Sequence, residues 1–162
     1  MEVPMTYDSR HATLEHISHV RTYLFKMLSL LQHRAADHDQ SMLQAEEKSA
    51  LDEFCPVLFS SENGSAEHKQ TLDKLLPALK NHYQKNSHHI EHYGKLNGMD
   101  LVDLIEWLCD QKASSLQDGN PDVFKRLVFY YQKYDFPVPL MDIINNTVKR
   151  YFENAGQTDN RI

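Results

Sequence analysis

Apolar residues recur at spacings of three and four along most of this chain, the period of an α-helix rather than the alternation of a strand. A first helix is predicted over about residues 13–34, with Leu14, Ile17, Leu24, Leu28 and Leu31 as its inward stripe and Ser9 or Thr13 as its cap. Residues 35–39 turn the chain. Ser41 opens a second helix to about residue 54, and Pro56 limits its extension. After the loop at 60–65 a third helix starts at Ala66, with Leu72, Leu75, Leu76 and Leu79 facing inward and Pro77 kinking or dividing it. Asn86-Ser87 caps a short helical turn holding His88, His89 and His92, which ends near Gly94. Helices over about 99–116, 122–134 and 138–152 follow, separated by turns at Asp118–Pro121 and Asp135–Pro137. The expectation is an all-α single domain of six or seven helices over residues 1–153, with a flexible tail at 154–162.

Composition narrows the class. At 162 residues and 41% hydrophobic content the chain is long enough for a real core. No apolar run approaches a membrane span, and residues 1–10 lack the basic-then-apolar order of a signal peptide. Cys55 and Cys109 have no metal-binding spacing and read as reduced core thiols of a cytoplasmic protein. The net charge of -6 argues against sequence-specific nucleic acid as a partner. A small anionic substrate stays open, because a bound dication reverses the local potential. Tyr130, Tyr131, Tyr134 and Phe136 recur too densely for a base-stacking surface and read as helix packing, and the last helices could serve a homo-oligomer.

Ten histidines change the picture. His16 and His19 lie one turn apart on the first helix. His38-Asp39 sits where that helix ends, and His88-His89 follows downstream. Asp103, Glu106 and Asp110 are spaced at i, i+3 and i+7, which aligns three carboxylates along one side of a helix. Leu101, Leu104, Ile105 and Leu108 occupy its opposing side, so the acids are expected to face a polar cavity. Imidazole and carboxylate together suit divalent zinc, manganese, iron or cobalt, with magnesium also admitted. Because adjacent side chains diverge on a helix, one of His88 and His89 is expected to reach an ion. His88–His92 also fits the inverted zinc-peptidase pattern H-x-x-E-H, but Gly94 and Asn97-Gly98 leave no room for the long helix that chemistry needs.

The ordered set His16, His38-Asp39 and a distant aspartate resembles the HD-domain metal-dependent phosphohydrolase superfamily. The stretch Glu15–Val20 is similar to the first-helix histidine segment of its nucleotidase branch, and His88-His89-Ile90-Glu91 to the extra histidines of two-metal members. The whole pattern also resembles a group of small phage and bacterial proteins, which brings no substrate with it. The resemblance implies that His16, His38, Asp39 and Asp110 (or Asp103) bind one metal. It further implies that Asp39 bridges to a second ion completed by His88, His89 or His82. Hydrolysis of a nucleotide or deoxynucleotide phosphate would follow. Asp39 would be central to it, Glu46, Glu47 or Glu106 would carry the proton, and Lys48, Lys112, Lys125 or Arg126 would hold the phosphate. Two alternatives stand beside it: a di-iron oxygenase on the same scaffold, and a non-catalytic nucleotide-sequestering protein, which the Gln40-Ser41-Met42 run after the doublet keeps open.

Overall fold

The computed structural model describes residues 8–153. Seven α-helices order them, and no strand occurs among the described residues: α1 (Arg10–Asp37), α2 (Ala45–Ser60), α3 (Ala66–Lys85), α4 (Ile90–Tyr93), α5 (Leu101–Gln117), α6 (Phe124–Lys133) and α7 (Val138–Thr147). Tight 3₁₀ turns at Gln40–Leu43 and Leu96–Gly98 precede α2 and α5, and a π-helical turn over Val148–Phe152 continues α7. The all-α expectation holds. The expected tail at 154–162 lies outside the described residues. No helix among the described residues is long and apolar enough to cross a membrane.

The chain divides after Asp37 into two units, where the sequence offered no boundary. The first is α1, which buries none of its 28 residues. Its expected inward stripe is a correction: Leu14, Ile17, Leu24 and Leu28 are exposed and Leu31 is only partly buried. A unit made of one helix has no second layer of its own against which to bury an apolar face.

The second unit carries the core. Ile90 of α4, Trp107 and Leu108 of α5, Val123, Leu127 and Tyr131 around α6, Phe136, and Ile144 and Val148 at the end of α7 form one buried cluster. Trp107 is its largest member, 1% exposed, with its ring 5.5 Å from Phe136 and edge-on to Tyr130. Tyr131 and Phe136 are buried and Tyr130 and Tyr134 pack against the cluster, as the dense aromatic spacing implied. Truncation of a fully enclosed aromatic costs about 3–5 kcal/mol, so Trp107→Ala is expected to lower the unfolding free energy by that amount in denaturant titration. An unchanged midpoint would mean the ring is not a core anchor.

Several local expectations change. Pro56 lies inside α2 and Pro77 inside α3, and both helices run through. Both prolines, and the residues four earlier whose carbonyls lose a donor (Asp52 and Asp73), are solvent-exposed, so water can satisfy what the ring cannot. Leu75 is buried and Leu79 partly so, whereas Leu72 and Leu76 stay exposed. On α5, Leu101 and Ile105 are exposed while Leu108 is buried, so the core takes only part of the leucine side. Cys55 is partly buried and Cys109 exposed, both as free thiols, so Cys109 is not a core residue.

Candidate metal centre

Four segments of the second unit aim nitrogen and oxygen atoms at one another. The first is the doublet. Asp39 sits in the left-handed region at φ 54 and ψ 17, and its carbonyl accepts the Met42 amide at 2.9 Å to start the 3₁₀ turn. Few non-glycine residues adopt that conformation, aspartate and asparagine most readily, and strained backbone of this kind concentrates at functional sites. Because His38 and Asp39 are not in regular helix, both side chains reach the same region. The second contributor is His82, buried in the last turn of α3. The third is the turn between α3 and α4, which carries His88 and His89 outside helical geometry. The fourth is α5, whose period places Trp107 in the core and Glu106 and Asp110 toward the histidines.

Asp39 Oδ1 lies 3.5 Å from His82 Nε2 and 3.5 Å from His88 Nε2. His82 Nε2 and His89 Nε2 are 2.8 Å apart. Each of Asp39, His82, His88 and His89 thus offers one ligand atom to a common point, all within 4.8 Å of one another. Ligand atoms about 2.0–2.2 Å from a tetrahedral ion stand about 3.3–3.6 Å apart. The Asp39 distances match that spacing, and the His82–His89 pair would open by about half an ångström. His38, Asp39 and Asp110 form an adjoining group, with His38 Nε2 3.6 Å from Asp39 Oδ2. Asp39 therefore belongs to two candidate positions.

Carboxylates behind the rings fix their orientation. Glu47 is 1% exposed on α2, and its Oε2 lies 3.0 Å from His82 Nδ1. Glu106 Oε1 lies 2.8 Å from His38 Nδ1 and 3.1 Å from His88 Nδ1. A carboxylate accepts the proton of Nδ1, which leaves the Nε2 lone pair of His82, His88 and His38 turned toward Asp39. Ser41 Oγ and Asn81 Nδ2 donate to the two Glu47 oxygens at 2.9 and 2.8 Å, so that acid is itself held. His89 has its pKa lowered to about 3, by burial first and then by the neighbouring His88, His82 and His38; it is neutral, the form that binds metal. Burial raises the Asp110 carboxyl above the usual range, with His88 opposing and Asp39 adding to that shift.

The donor set fits a cation on a further observation. Asp39 Oδ1 and His88 Nε2 are buried atoms with no hydrogen-bond partner among the described residues. Leaving such a group unsatisfied costs about 1–3 kcal/mol. An ion at the common point would satisfy both. These histidine and acid clusters can hold a metal ion.

A model of a family of unknown function, DUF5662, matches residues 5–150. The chain belongs to that family. No curated protein and no solved structure shows significant similarity to it.

Of the residues singled out in the sequence, the structure gathers His38, Asp39, His88, His89, Glu106 and Asp110, together with His82. Both members of the His88-His89 pair face the cluster, because a turn, unlike a helix, does not force neighbours apart. His16 is not in these groups; it is exposed on α1. Asp110 joins the group with His38 and Asp39 and Asp103 does not; the Asp103 oxygens accept from Ser87 Oγ, Tyr93 OH and the Asp100 amide in the capping box of α5. Glu46 is exposed beside Lys85, and the buried neighbour Glu47 faces the site instead. Glu106 meets His38 and His88 through their Nδ1 atoms, so it positions imidazoles. Lys48 pairs with Asp52 on the surface, and Lys112 donates to the Pro121 carbonyl. Within H-x-x-E-H, Glu91 accepts from Tyr134 and Lys133 and His92 meets the Tyr83 carbonyl, so those two do not converge with the cluster. Glu47 was legible only as one of several nearby acids; its burial has no sequence signal.

The orienting role of Glu47 is measurable. Partners of this kind contribute about 10–100-fold to metal affinity. Glu47→Gln keeps the shape and most hydrogen bonds, and is expected to weaken zinc binding by that factor in competition with a chromophoric chelator. Equal affinity in the variant would leave Glu47 as a packing residue.

Proposed function

We propose that the protein is a metal-dependent phosphohydrolase acting on a nucleotide or deoxynucleotide phosphate, with Asp39 joining two cation positions. The observation that carries this reading is the paired orphan atoms, Asp39 Oδ1 and His88 Nε2, facing two more imidazoles at ligand spacing. The HD-type resemblance of His38-Asp39 and the distant Asp110 supplies the phosphate and nucleotide part. A bound dication supplies Lewis acidity, which makes water nucleophilic at neutral pH and offsets phosphoryl charge. The chain's own part is geometric and electrostatic. Glu47 and Glu106 hold three rings with lone pairs forward, His38 and Asp110 flank the second position, and Arg126 lines the cavity that also touches Asp39, His82, His89 and Asp110. Zinc, manganese, cobalt, magnesium and iron are the candidate ions.

The test is a screen of nucleoside mono-, di- and triphosphates and cyclic dinucleotides against the full chain loaded with each of those ions. Release of phosphate or pyrophosphate, or opening of the cyclic dinucleotide ring, that a chelator abolishes is the expected result. No turnover of any phosphate with any ion would end the hydrolase reading. The nitrogen-rich first position, three imidazoles to one carboxylate, supports a second reading as a di-iron oxygenase. Stoichiometric iron with oxo-bridge absorption, without phosphate turnover, would select it.

A further inference from the structure

Two cavities in the second unit share a wall. The inner one, about 220 Å³, is lined by the cluster residues Asp39, His82, His89 and Asp110 and also by Arg126 and Tyr130. The outer one, about 340 Å³ and more open, is lined by Lys125, Arg126, Phe129 and Tyr130, all on α6. Arg126 and Tyr130 therefore stand between the candidate metal positions and an outer groove that is cationic and aromatic.

Arg126 is not placed there by chance packing alone. Fully buried Gln111 donates from Nε2 to Asp110 Oδ2 at 3.0 Å, and its Oε1 faces Arg126 Nε at 3.4 Å. A chain of side chains thus runs from the second cation position to the guanidinium. The other end of Arg126, Nη1, pairs with Asp118 at 2.7 Å. Asp118 is 61% exposed, so that ion pair is solvated and worth little against a competing anion. A guanidinium binds phosphate in the same planar, two-pronged way. On the next turn, Phe129 is 58% exposed and lines the groove with Lys125, its ring meeting Tyr130 edge-on and Lys133 Nζ at 5.9 Å from its centroid.

Charge sets the order of events. Asp39, Glu47 and Asp110 line the inner site, and that field repels an anion until a cation is bound. Size sets the class. Neither cavity reaches far into the range of about 300–1,000 Å³ typical of sites for drug-sized ligands.

We infer that α6 forms a substrate subsite, in which Arg126 grips a single phosphate group entering the inner cavity while Phe129 takes one planar ring system in the outer groove, with the core-packed Tyr130 as the wall between them. The substrate class is a phosphate monoester bearing one aromatic or nucleobase ring, in preference to a triphosphate or a cyclic dinucleotide. This deepens the hydrolase reading and rests on it for the turnover, but binding tests it separately.

The experiment is calorimetric titration of AMP, ATP and a cyclic dinucleotide into the zinc-loaded full chain, with steady-state kinetics where turnover is seen. AMP is expected to bind at least tenfold more tightly than the cyclic dinucleotide, and only when metal is present. Arg126→Gln is expected to weaken AMP at least tenfold, raising KM more than it lowers kcat, with metal content unchanged. Phe129→Ala should raise the KM of AMP more than that of methyl phosphate, a ring-specific effect that general loosening of the fold would not produce. Equal binding of AMP by the parent and Arg126→Gln, or a preference for the cyclic dinucleotide or ATP, overturns the subsite. Tight, Arg126-dependent AMP binding without hydrolysis upholds it and removes the hydrolase reading instead.

Discussion

Asp39→Asn is expected to lose bound metal on desalting and to reduce phosphate turnover on the order of a thousandfold, the scale at which removing a charge-stabilising group acts. Asp39 is the one residue common to both candidate positions, through Oδ1 toward His82 and His88 and Oδ2 toward His38. Removing its charge therefore weakens two sites together. Asparagine is the informative replacement because it tolerates the left-handed backbone at φ 54, whereas alanine there costs about 1–2 kcal/mol. With the backbone undisturbed, the effect reports the carboxylate. Elemental analysis alongside kinetics checks it: metal at parental stoichiometry with parental turnover would show that Asp39 does not bridge.

How far the sequence reached follows from which signals are local. Helical period is local, so the helices were visible, including α5, although not its Asp100 cap, and α7 running on to residue 152. The composition of the site was visible as well, since His38-Asp39 and His88-His89 stand out in any helical chain. Partner choice was not, because it depends on which turns break regular geometry. The left-handed Asp39 and the irregular turn at residues 86–89 let four adjacent side chains converge that helical reasoning would have splayed. His82 was visible only as a reserve ligand, one polar residue near the end of a long helix. Its burial depends on Glu47, 35 positions earlier, and no periodicity reports that pairing. Asp103 and Asp110 share a face of α5 and both accept side-chain hydrogen bonds; what separates them is that Asp110 lies with His38 and Asp39 whereas Asp103 closes the cap of its own helix. The HD-type order pointed to His16, which lies on α1 in the first unit, while the nitrogens grouped in the second unit belong to His38, His82, His88 and His89.

The same cluster should make stability depend strongly on metal. In the metal-free protein the second unit holds two buried polar atoms without hydrogen-bond partners among the described residues, and leaving them so favours the unfolded chain. An ion that binds only the folded form stabilises by about 4 kcal/mol when its free concentration is a thousand times Kd. For a unit of this size that corresponds to a rise in Tm of roughly 10–15 °C. Thermal unfolding with and without zinc or manganese checks this, with excess chelator expected to reverse it. The rise should shrink to a few degrees in Asp39→Asn and by about a third to two thirds in Glu47→Gln, if the latter weakens binding about 10–100-fold. Magnesium, which prefers oxygen ligands, should shift Tm less than zinc at a position with three imidazoles and one carboxylate. A Tm insensitive to every divalent ion would mean that these imidazoles pack around one another for structural reasons, and the phosphohydrolase reading would fall with them.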